Sequence, residues 1–325
     1  MDLEEDFVSQ RIALAPDREG EVVATLVSSR RNEGAREAVL YLHGFIDYFF
    51  QAHLADECHR RGYDFHALDM RKYGRSLLPH QTPNHCESVA DYYEEITAAL
   101  DRVTAAGASA IHLVGHSTGG LVAACYMADG ARRGAVASLI LNSPFLDMPQ
   151  SAFATRLTYA LARIRRWARR DAALGRGISP VYGESLHRDF HGTWDYRLDW
   201  KPIRGFPIRA AWAMAIIDAQ RRLARTRIDR PVLLLHSARS LKLEEFGPDA
   251  HHADIVLDVA DMTRIGPGLG PDVTLAAVEG GLHDLFLSSE PVRADAFARM
   301  FDWLAGISRR ETAAPAASPA SGPSS

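Results

Sequence analysis

Near-continuous apolar segments alternate with helical patterns along most of this sequence, and this alternation limits the fold more than any other feature. The apolar segments, rich in β-branched residues, are Glu21–Ser29, Ala38–Gly44, Asp64–Arg71, Ala110–Gly115, Val136–Phe145, Pro231–Ser237 and Val273–Gly280. The helical patterns are Phe49–Tyr63, Ser88–Gly107, Gly120–Arg133 and Pro291–Ile307. Strands that are apolar throughout are buried on both faces, so the pattern predicts an α/β fold with a mostly parallel sheet and helices on both sides.

The alternation is interrupted between residues 146 and 229, where helical patterns, tryptophans and arginines occur without a clear strand. Because this segment lies between two strands of the sheet, we interpret it as a helical insertion over one end of the sheet. The core then consists of residues 1–145 and 230–309. Residues 310–325 are rich in Ala, Pro and Ser, and they bury too little apolar area to offset the entropy of ordering, which predicts a disordered tail.

The overall composition limits which classes of partner and which cellular compartment we expect for this protein. A net charge of -4 gives no general electrostatic reason to expect a nucleic-acid partner. Three cysteines without a C-x-x-C pair argue against a disulfide framework and favour a reducing compartment. The first residues lack the apolar core of a secretory signal. We therefore expect a cytoplasmic protein.

Residues 115–119 read Gly-His-Ser-Thr-Gly, between a predicted strand and a predicted helix. A strand that turns abruptly into a helix holds one residue in a strained conformation and needs small residues two positions away on either side. This is the G-x-S-x-G nucleophile elbow, which exposes the serine hydroxyl at the end of the sheet. The pattern predicts Ser117 as a nucleophile. The alternative is a glycine-rich turn with an N-capping serine.

A serine nucleophile requires a base, and His283 is the candidate. In this architecture the chain order is serine, acid, histidine. His283 follows the last predicted strand on a loop that begins with Gly280 and Gly281, which can bring the imidazole over the elbow. The alternative is a solvated loop histidine. His116, next to the nucleophile in sequence, is predicted to pack or hydrogen-bond beside the site as a substrate-binding residue, rather than act as the base.

The oxyanion of an acyl-transfer reaction needs two N–H donors. The backbone N–H of Thr118, which follows the nucleophile, is one candidate. The loop after the second strand reads His-Gly-Phe, and the N–H of Phe45 is the other. The next residues, 46–50, are unusually aromatic. Tyr48 and Phe49 are therefore candidates to line an acyl pocket, or else they begin a core-facing helix.

Four segments together resemble a known superfamily, the α/β-hydrolases. They read VLYLHG, LDMRKYGRS, VGHSTGG and GGLHDLFLS, and the resemblance spans about Ala38–Ser288. Within the superfamily the sequence looks most like the lysophospholipase- and monoacylglycerol-lipase-like serine hydrolases, also called the serine aminopeptidase S33 group. The resemblance implies an eight-stranded, mainly parallel sheet, a helical cap after the sixth strand, and hydrolysis through a Ser-His-Asp triad.

The sequence departs from this family at the acid. The family ends its seventh strand with H-G-x-x-D, whereas residues 236–240 read His-Ser-Ala-Arg-Ser, so Ser240 stands where the aspartate is expected. Asp254 begins a D-I-V-L string that resembles the family's D-x-I-V, displaced by an inserted loop. Asp254 is therefore the first choice for the triad acid and Asp258 the second. The alternative for either is that it only caps the helix that starts there.

The insertion contains a basic amphipathic pattern over Phe153–Arg170, and two interpretations compete for it. An apolar stripe is formed by Phe153, Leu157, Leu161, Ile164 and Ala168. A helix of this kind can lie on an anionic membrane. The favoured interpretation is a cap helix that buries the stripe over the active site, with its arginines in solvent.

The predicted function is that of a serine hydrolase that cleaves carboxylic esters through an acyl-enzyme, with no cofactor and no metal. The expected substrate is a small-molecule ester with an apolar acyl group. An acyltransferase or a thioesterase with the same triad is the second hypothesis. A non-catalytic ligand-binding protein that kept the fold is the third, and Ser240 in place of the aspartate is its best support.

Overall fold

The fold is built around one large β-sheet. The computed structural model describes residues 3–148, 152–169, 172–175 and 178–313. Within them, the strands are β1 (Phe7–Asp17), β2 (Gly20–Ser29), β3 (Glu37–Leu42), β4 (Asp64–Asp69), β5 (Ala110–His116), β6 (Val136–Asn142), β7 (Ala173–Gly175), β8 (Ile208–Arg209), β9 (Val232–Ser237) and β10 (Val273–Val278). The α-helices are α1 (Leu3–Asp6), α2 (Ala52–Arg60), α3 (Tyr93–Ala105), α4 (Thr118–Asp129), α5 (Ala152–Ala168), α6 (Pro180–Leu186), α7 (Ala210–Leu223), α8 (Val259–Ile265) and α9 (Glu290–Ala313).

The large sheet has eight strands in the order β1-β2-β4-β3-β5-β6-β9-β10. β2 pairs antiparallel with β1 and with β4. Every other neighbouring pair is parallel. The predicted fold class, a mostly parallel eight-stranded sheet in an α/β protein, is confirmed. β7 and β8 form a separate antiparallel pair within the segment that sequence reading left without strands.

Two hydrophobic clusters cover the two faces of this sheet. On one face, Leu100 of α3, Leu121 of α4 and Ile216 of α7 pack against the strands. On the other face, Leu54 of α2 and Phe301 of α9 do so. Helices on both faces fix the carboxyl ends of the central strands, and in open parallel sheets those ends are where ligands bind.

The two chain ends differ from the sequence-based expectation. β1 was not predicted; of this edge strand only Phe7 and Ile12 are buried, and its other side chains are exposed or partly exposed. α9 continues through Ala313, so residues 310–313 are helical where a disordered tail was expected. The rest of that predicted tail, residues 314–325, lies outside the described residues.

The predicted insertion, residues 146–229, contains α5, α6 and α7. α7 packs on α4, and the Gln220 side chain of α7 donates a hydrogen bond to the carbonyl of Phe145 (3.1 Å). The expectation that α5 buries its apolar stripe is wrong: Phe153 and Leu157 are exposed. The physical reason is that α5 contacts α7 through a different face, which includes Tyr159. The division of the chain into core and insertion stays a prediction.

Candidate active site

The turn from β5 into α4 holds Ser117 in a backbone conformation that few non-glycine residues adopt. Its φ is 53° and its ψ is -118°. A Cβ on Gly115 would lie 2.6 Å from the carbonyl oxygen of Gly119, and a Cβ on Gly119 would overlap the carbonyl oxygen of His43. The two glycines therefore allow β3, β5 and α4 to approach closely enough to form the corner, as the G-x-S-x-G pattern predicts.

A hydrogen-bonded chain links three side chains at this corner. The Ser117 Oγ lies 2.9 Å from His283 Nε2, and His283 Nδ1 lies 2.8 Å from Asp254 Oδ2. Ser117 is 8% exposed, while His283 and Asp254 are almost completely buried. In this arrangement the imidazole donates from Nδ1 to the carboxylate and can accept the hydroxyl proton at Nε2. Residues far apart in sequence thus meet as nucleophile, base and acid would have to meet.

A loop displacement explains how Asp254 reaches this position. The backbone of Asp254 forms an isolated parallel bridge with Ser240, the position where the family pattern has its aspartate. The N–H of Asp254 donates to the carbonyl of Arg239 (3.0 Å), and the N–H of Leu241 donates to the carbonyl of Asp254 (2.9 Å). The loop of residues 242–253 therefore leaves the carboxylate beside position 240.

Asp258, the second choice for the acid, has another contact set. Its carboxylate accepts a hydrogen bond from the N–H of Ala260 (3.0 Å) as the N-cap of α8, and it lies 3.2 Å from the Ser240 hydroxyl. By contrast, Asp254 Oδ1 accepts two backbone N–H bonds of 2.8 Å each, from Val256 and Leu257, while its Oδ2 contacts His283. The structure thus places Asp254 at the imidazole and Asp258 at a helix start.

The His283 loop is fastened to the end of β6 by Asn142. The Asn142 side chain donates to the Asp284 carboxylate (2.7 Å) and accepts from the N–H of Leu285 (3.3 Å). The Asn142 carbonyl accepts the N–H of Ser117 (3.0 Å). One residue therefore contacts both the elbow and the histidine loop. The sequence reading missed Asn142, for which the only available signal was its position at the end of a buried strand.

The two predicted oxyanion donors lie at the same cavity as Ser117. Phe45 and Thr118 both line it, next to Gly44. Thr118 is the first residue of α4, where backbone N–H groups have no intrahelical acceptor. Within the described residues, no acceptor is present for the N–H of Phe45 either. Both N–H groups are thus available to a ligand oxygen.

The cavity beside Ser117 has a volume of about 220 Å³ and is mostly apolar. Its apolar wall comes from the loop that follows β3 (His43–Asp47, here the oxyanion loop), from the residues after β6, from α7 and from the segment after Asp254. The lining side chains include Phe45, Phe145, Met148, Trp212, Val256 and Leu257. The Phe45 ring stacks on the Trp212 indole with centroids 4.0 Å apart. A cavity of this kind can hold an apolar group next to the hydroxyl.

Of the three predicted substrate-binding residues, His116 lines this cavity and the other two do not. Phe49 is fully buried in the core, where its ring contacts Phe7 and Phe65. Tyr48 packs away from the cavity, and its hydroxyl accepts the N–H of Arg197 (2.7 Å). The acyl-pocket expectation for Tyr48 and Phe49 is therefore wrong. Both side chains face the protein interior, but they do not begin a helix either, because α2 starts only at Ala52.

His116 sits between the elbow and the base. Its Nδ1 donates to the carbonyl of Asn142 (3.1 Å), and its ring centroid lies 4.9 Å from that of His283. Burial lowers the pKa of His116, and the nearby Asp284 carboxylate opposes this without reversing it. A neutral His116 avoids a positive charge next to the ring that must itself take up a proton.

A buried ion pair, Asp47 with Lys201, occupies the cavity wall. The Lys201 Nζ lies 2.7 Å from Asp47 Oδ1, and both side chains are buried. Burial pushes the pKa of Asp47 upward, but the Lys201 ammonium, together with His43 and His116, more than offsets this, so the net shift of the pKa is downward. The pair joins the oxyanion loop to the insertion. The sequence reading missed it; an isolated acid in the aromatic segment 46–50 was the available signal.

Comparisons with known proteins bear on the family and the fold of the chain. The model of the family described as "Serine aminopeptidase, S33" matches residues 33–290. No curated protein matches the chain. A soluble variant of the monoglyceride lipase from Saccharomyces cerevisiae superposes with a TM-score of 0.68 at 17% identity, covering 92% of this chain and 96% of that one. A monoacylglycerol lipase from Paleococcus ferrophilus gives 0.63 at 19% identity, covering 92% and 99%. An esterase from Pyrococcus furiosus gives 0.53 at 14% identity, covering 92% and 93%. These structures share the α/β-hydrolase fold.

Proposed function

The chain belongs to the serine aminopeptidase S33 family of α/β-hydrolases, and from this membership and the site geometry we propose that it hydrolyses carboxylic esters of small molecules through an acyl-enzyme. The observation that carries the proposal is the hydrogen-bonded chain from Asp254 through His283 to Ser117, with spacings of 2.8 Å and 2.9 Å. In Ser-His-Asp hydrolases, this arrangement of nucleophile, base and orienting acid activates the serine hydroxyl.

In the first half-reaction, Ser117 Oγ attacks the ester carbonyl carbon and its proton passes to His283 Nε2. The carbonyl oxygen becomes an oxyanion and accepts hydrogen bonds from the N–H groups of Phe45 and Thr118. Asp254 stabilises the imidazolium and holds the ring orientation. When the tetrahedral intermediate collapses, the C–O bond to the alcohol breaks, and His283 returns the proton to the departing oxygen.

In the second half-reaction, water replaces the alcohol. His283 Nε2 takes a proton from the water as its oxygen attacks the acyl carbon, and the same oxyanion donors act again. Collapse breaks the bond between the acyl carbon and Ser117 Oγ, which regains its proton from His283. The products are the carboxylic acid and the free enzyme, so the cycle needs no further reactant.

The cavity favours an apolar acyl group of limited size. Its walls are mostly aromatic and aliphatic, and its volume of about 220 Å³ is below the roughly 300–1,000 Å³ of pockets for drug-sized ligands. Two similar structures come from proteins named as lipases of monoacylglycerols. An ester of a short or medium fatty acid with a small alcohol is therefore the substrate class that we propose.

A chain-length series of p-nitrophenyl esters, with the matching anilides, tests this function. We expect ester hydrolysis with a maximum at short or medium acyl chains, and much slower anilide cleavage. Ser117→Ala should lower kcat by at least about 10³-fold, since loss of a triad nucleophile removes covalent catalysis. Full turnover in Ser117→Ala would refute the proposal. Transfer of the acyl group to an added alcohol, in preference to water, would support the acyltransferase hypothesis.

A further inference from the structure

Helix α5 presents a row of large apolar side chains to solvent. The row, named here the α5 apolar face, consists of Phe153, Leu157, Leu161, Ile164 and Trp167. Their exposed fractions range from 48% for Leu161 to 90% for Trp167. Single exposed apolar residues are common on protein surfaces, but a contiguous set on one helix marks an interaction site.

An ordinary surface helix turns its apolar side toward the protein, whereas α5 turns its apolar side toward solvent. Ala162 is the buried residue of its described positions, and at about 100° per residue it lies opposite Phe153 and Ile164. The inward side is held by polar contacts: the Tyr159 hydroxyl donates to Asp218 of α7 (3.0 Å), and Arg166 pairs with Glu87. The helix is thus attached through its polar side and turns its apolar side outward.

The charges on α5 indicate what covers this face. The helix contains four arginines and no acidic residue. Arg156 and Arg163 lie at one edge of the α5 apolar face, next to Trp167 on the helical wheel, and within the described residues neither has an acidic partner. An apolar face bordered by unpaired cations is the arrangement of helices that lie in the surface of an anionic bilayer.

We propose that the α5 apolar face docks the protein on an anionic lipid surface, with α5 lying in the plane of the interface. Arg156 and Arg163 would contact the lipid headgroups, while Phe153, Leu157 and Trp167 enter the acyl boundary. A second copy of the chain fits the charges less well. Two such helices packed together would bring arginines near arginines, with no acidic residue on α5 to compensate.

The position of α5 connects the docking surface with the cavity. α5 packs on α7, whose Trp212 lines the cavity beside Ser117, and Met148, which precedes α5, lines it as well. A lipid surface at α5 would therefore lie close to the cavity wall. None of the helices in the described ranges combines the length and apolar character needed to cross a membrane. The docking inference does not depend on the proposed hydrolysis.

Vesicle co-sedimentation tests the proposal with the full chain. The vesicles are phosphatidylcholine alone, or an equimolar mixture with phosphatidylglycerol. We expect wild type to bind the anionic vesicles at least about tenfold more tightly than the neutral ones. Replacing Phe153, Leu157 and Trp167 together by serine should abolish binding to both, and Arg156→Glu with Arg163→Glu should remove the anionic preference. Because all five side chains project into solvent, these variants should fold, and their circular dichroism checks this.

A matched control is Phe190→Ser, which removes an exposed aromatic residue outside α5 (47% exposed) and should bind vesicles as wild type does. Ser117→Ala should also bind as wild type does, so a failure of the hydrolysis proposal remains distinguishable. Equal binding by the triple serine variant and wild type would overturn the proposal. So would a wild-type dimer, detected by light scattering, that the triple serine variant converts to monomer.

Discussion

At the scale of single residues, the two candidates for the triad acid, Asp254 and Asp258, predict clearly different effects of mutation. Asp254 contacts His283, whereas Asp258 caps α8. We expect Asp254→Asn to lower kcat by on the order of 10⁴, the loss seen when the acid of a serine-protease triad becomes an amide. Asp258→Ala should leave kcat within about twofold and lower the free energy of unfolding by about 1 kcal/mol, the cost of a lost N-cap.

The measurement for this pair is steady-state kinetics on one p-nitrophenyl ester, together with urea unfolding of each variant. If Asp254 is the triad acid, Asp254→Asn should lose activity, whereas Asp258→Ala should lose stability and keep its activity. A large kcat loss in Asp258→Ala, with Asp254→Asn near wild type, would assign the acid to Asp258 instead.

The ion pair between Asp47 and Lys201 gives a second prediction at this scale. Lys201→Met leaves the Asp47 carboxylate buried without its cation, and we expect the free energy of unfolding to fall by about 3 kcal/mol. Adding Asp47→Asn removes the uncompensated charge, so the double variant should be more stable than Lys201→Met alone. Urea unfolding of both single variants and the double variant measures this coupling. Strict additivity would show that the two side chains do not stabilise each other.

At the scale of secondary-structure elements, the close approach of β3 and α4 depends on Gly119. A Cβ there would overlap the His43 carbonyl oxygen. We expect Gly119→Ala to lower the free energy of unfolding by about 1–3 kcal/mol, the usual range for overpacking, and to reduce kcat because it displaces the chain that leads to Phe45. Gly134→Ala is the control: a Cβ there meets nothing within 4 Å. Similar unfolding midpoints for the two variants would contradict this account of the corner.

The pairing of β2 with β4 contains a pH-sensitive contact at His66. Its Nδ1 lies 2.7 Å from the Ser28 hydroxyl, and its Nε2 accepts a hydrogen bond from the Asn32 amide (3.3 Å), so the ring is neutral. Burial lowers the pKa of His66 to about 4, against about 6.5 in an unfolded chain. The unfolded state therefore binds more protons below about pH 6.5, and folding stability falls as the pH drops from there toward about 4.

The expected contribution of His66 is a loss of about 2 kcal/mol between neutral pH and about pH 5. Urea unfolding at both pH values checks it, with His66→Gln as the comparison because glutamine cannot titrate. The variant should show a correspondingly smaller decrease on acidification. An identical decrease in wild type and His66→Gln would mean that other groups cause the acid sensitivity.

At the scale of the whole molecule, local patterns predicted the sheet and the elbow because their causes are local. Apolar runs bury strands, and Gly115 and Gly119 allow the corner at Ser117. The position of His283 after the last strand followed from chain order, and Asp254 came from a family resemblance. That these side chains meet follows from the parallel sheet, which brings the ends of β5, β9 and β10 to one edge.

The features that sequence reading missed depend on contacts between distant segments. Asn142 joins β6 to the His283 loop, and Lys201 pairs with Asp47, which lies 154 positions earlier in the sequence. Neither partner can be identified from the sequence around it. The side of α5 that packs on the protein was also predicted wrongly. An amphipathic pattern shows that a helix has an apolar side, but it does not show which side the rest of the protein contacts.

The central claim, that Ser117 is a nucleophile activated by His283, is tested most directly by covalent labelling. The enzyme is incubated with a fluorophosphonate, whose phosphorus is attacked by an activated serine with loss of fluoride, and the modified peptide is identified by mass spectrometry. The account predicts one adduct, on Ser117, no adduct in Ser117→Ala, and much slower labelling in His283→Gln. An unlabelled wild type, or equal labelling of wild type and Ser117→Ala, would contradict it.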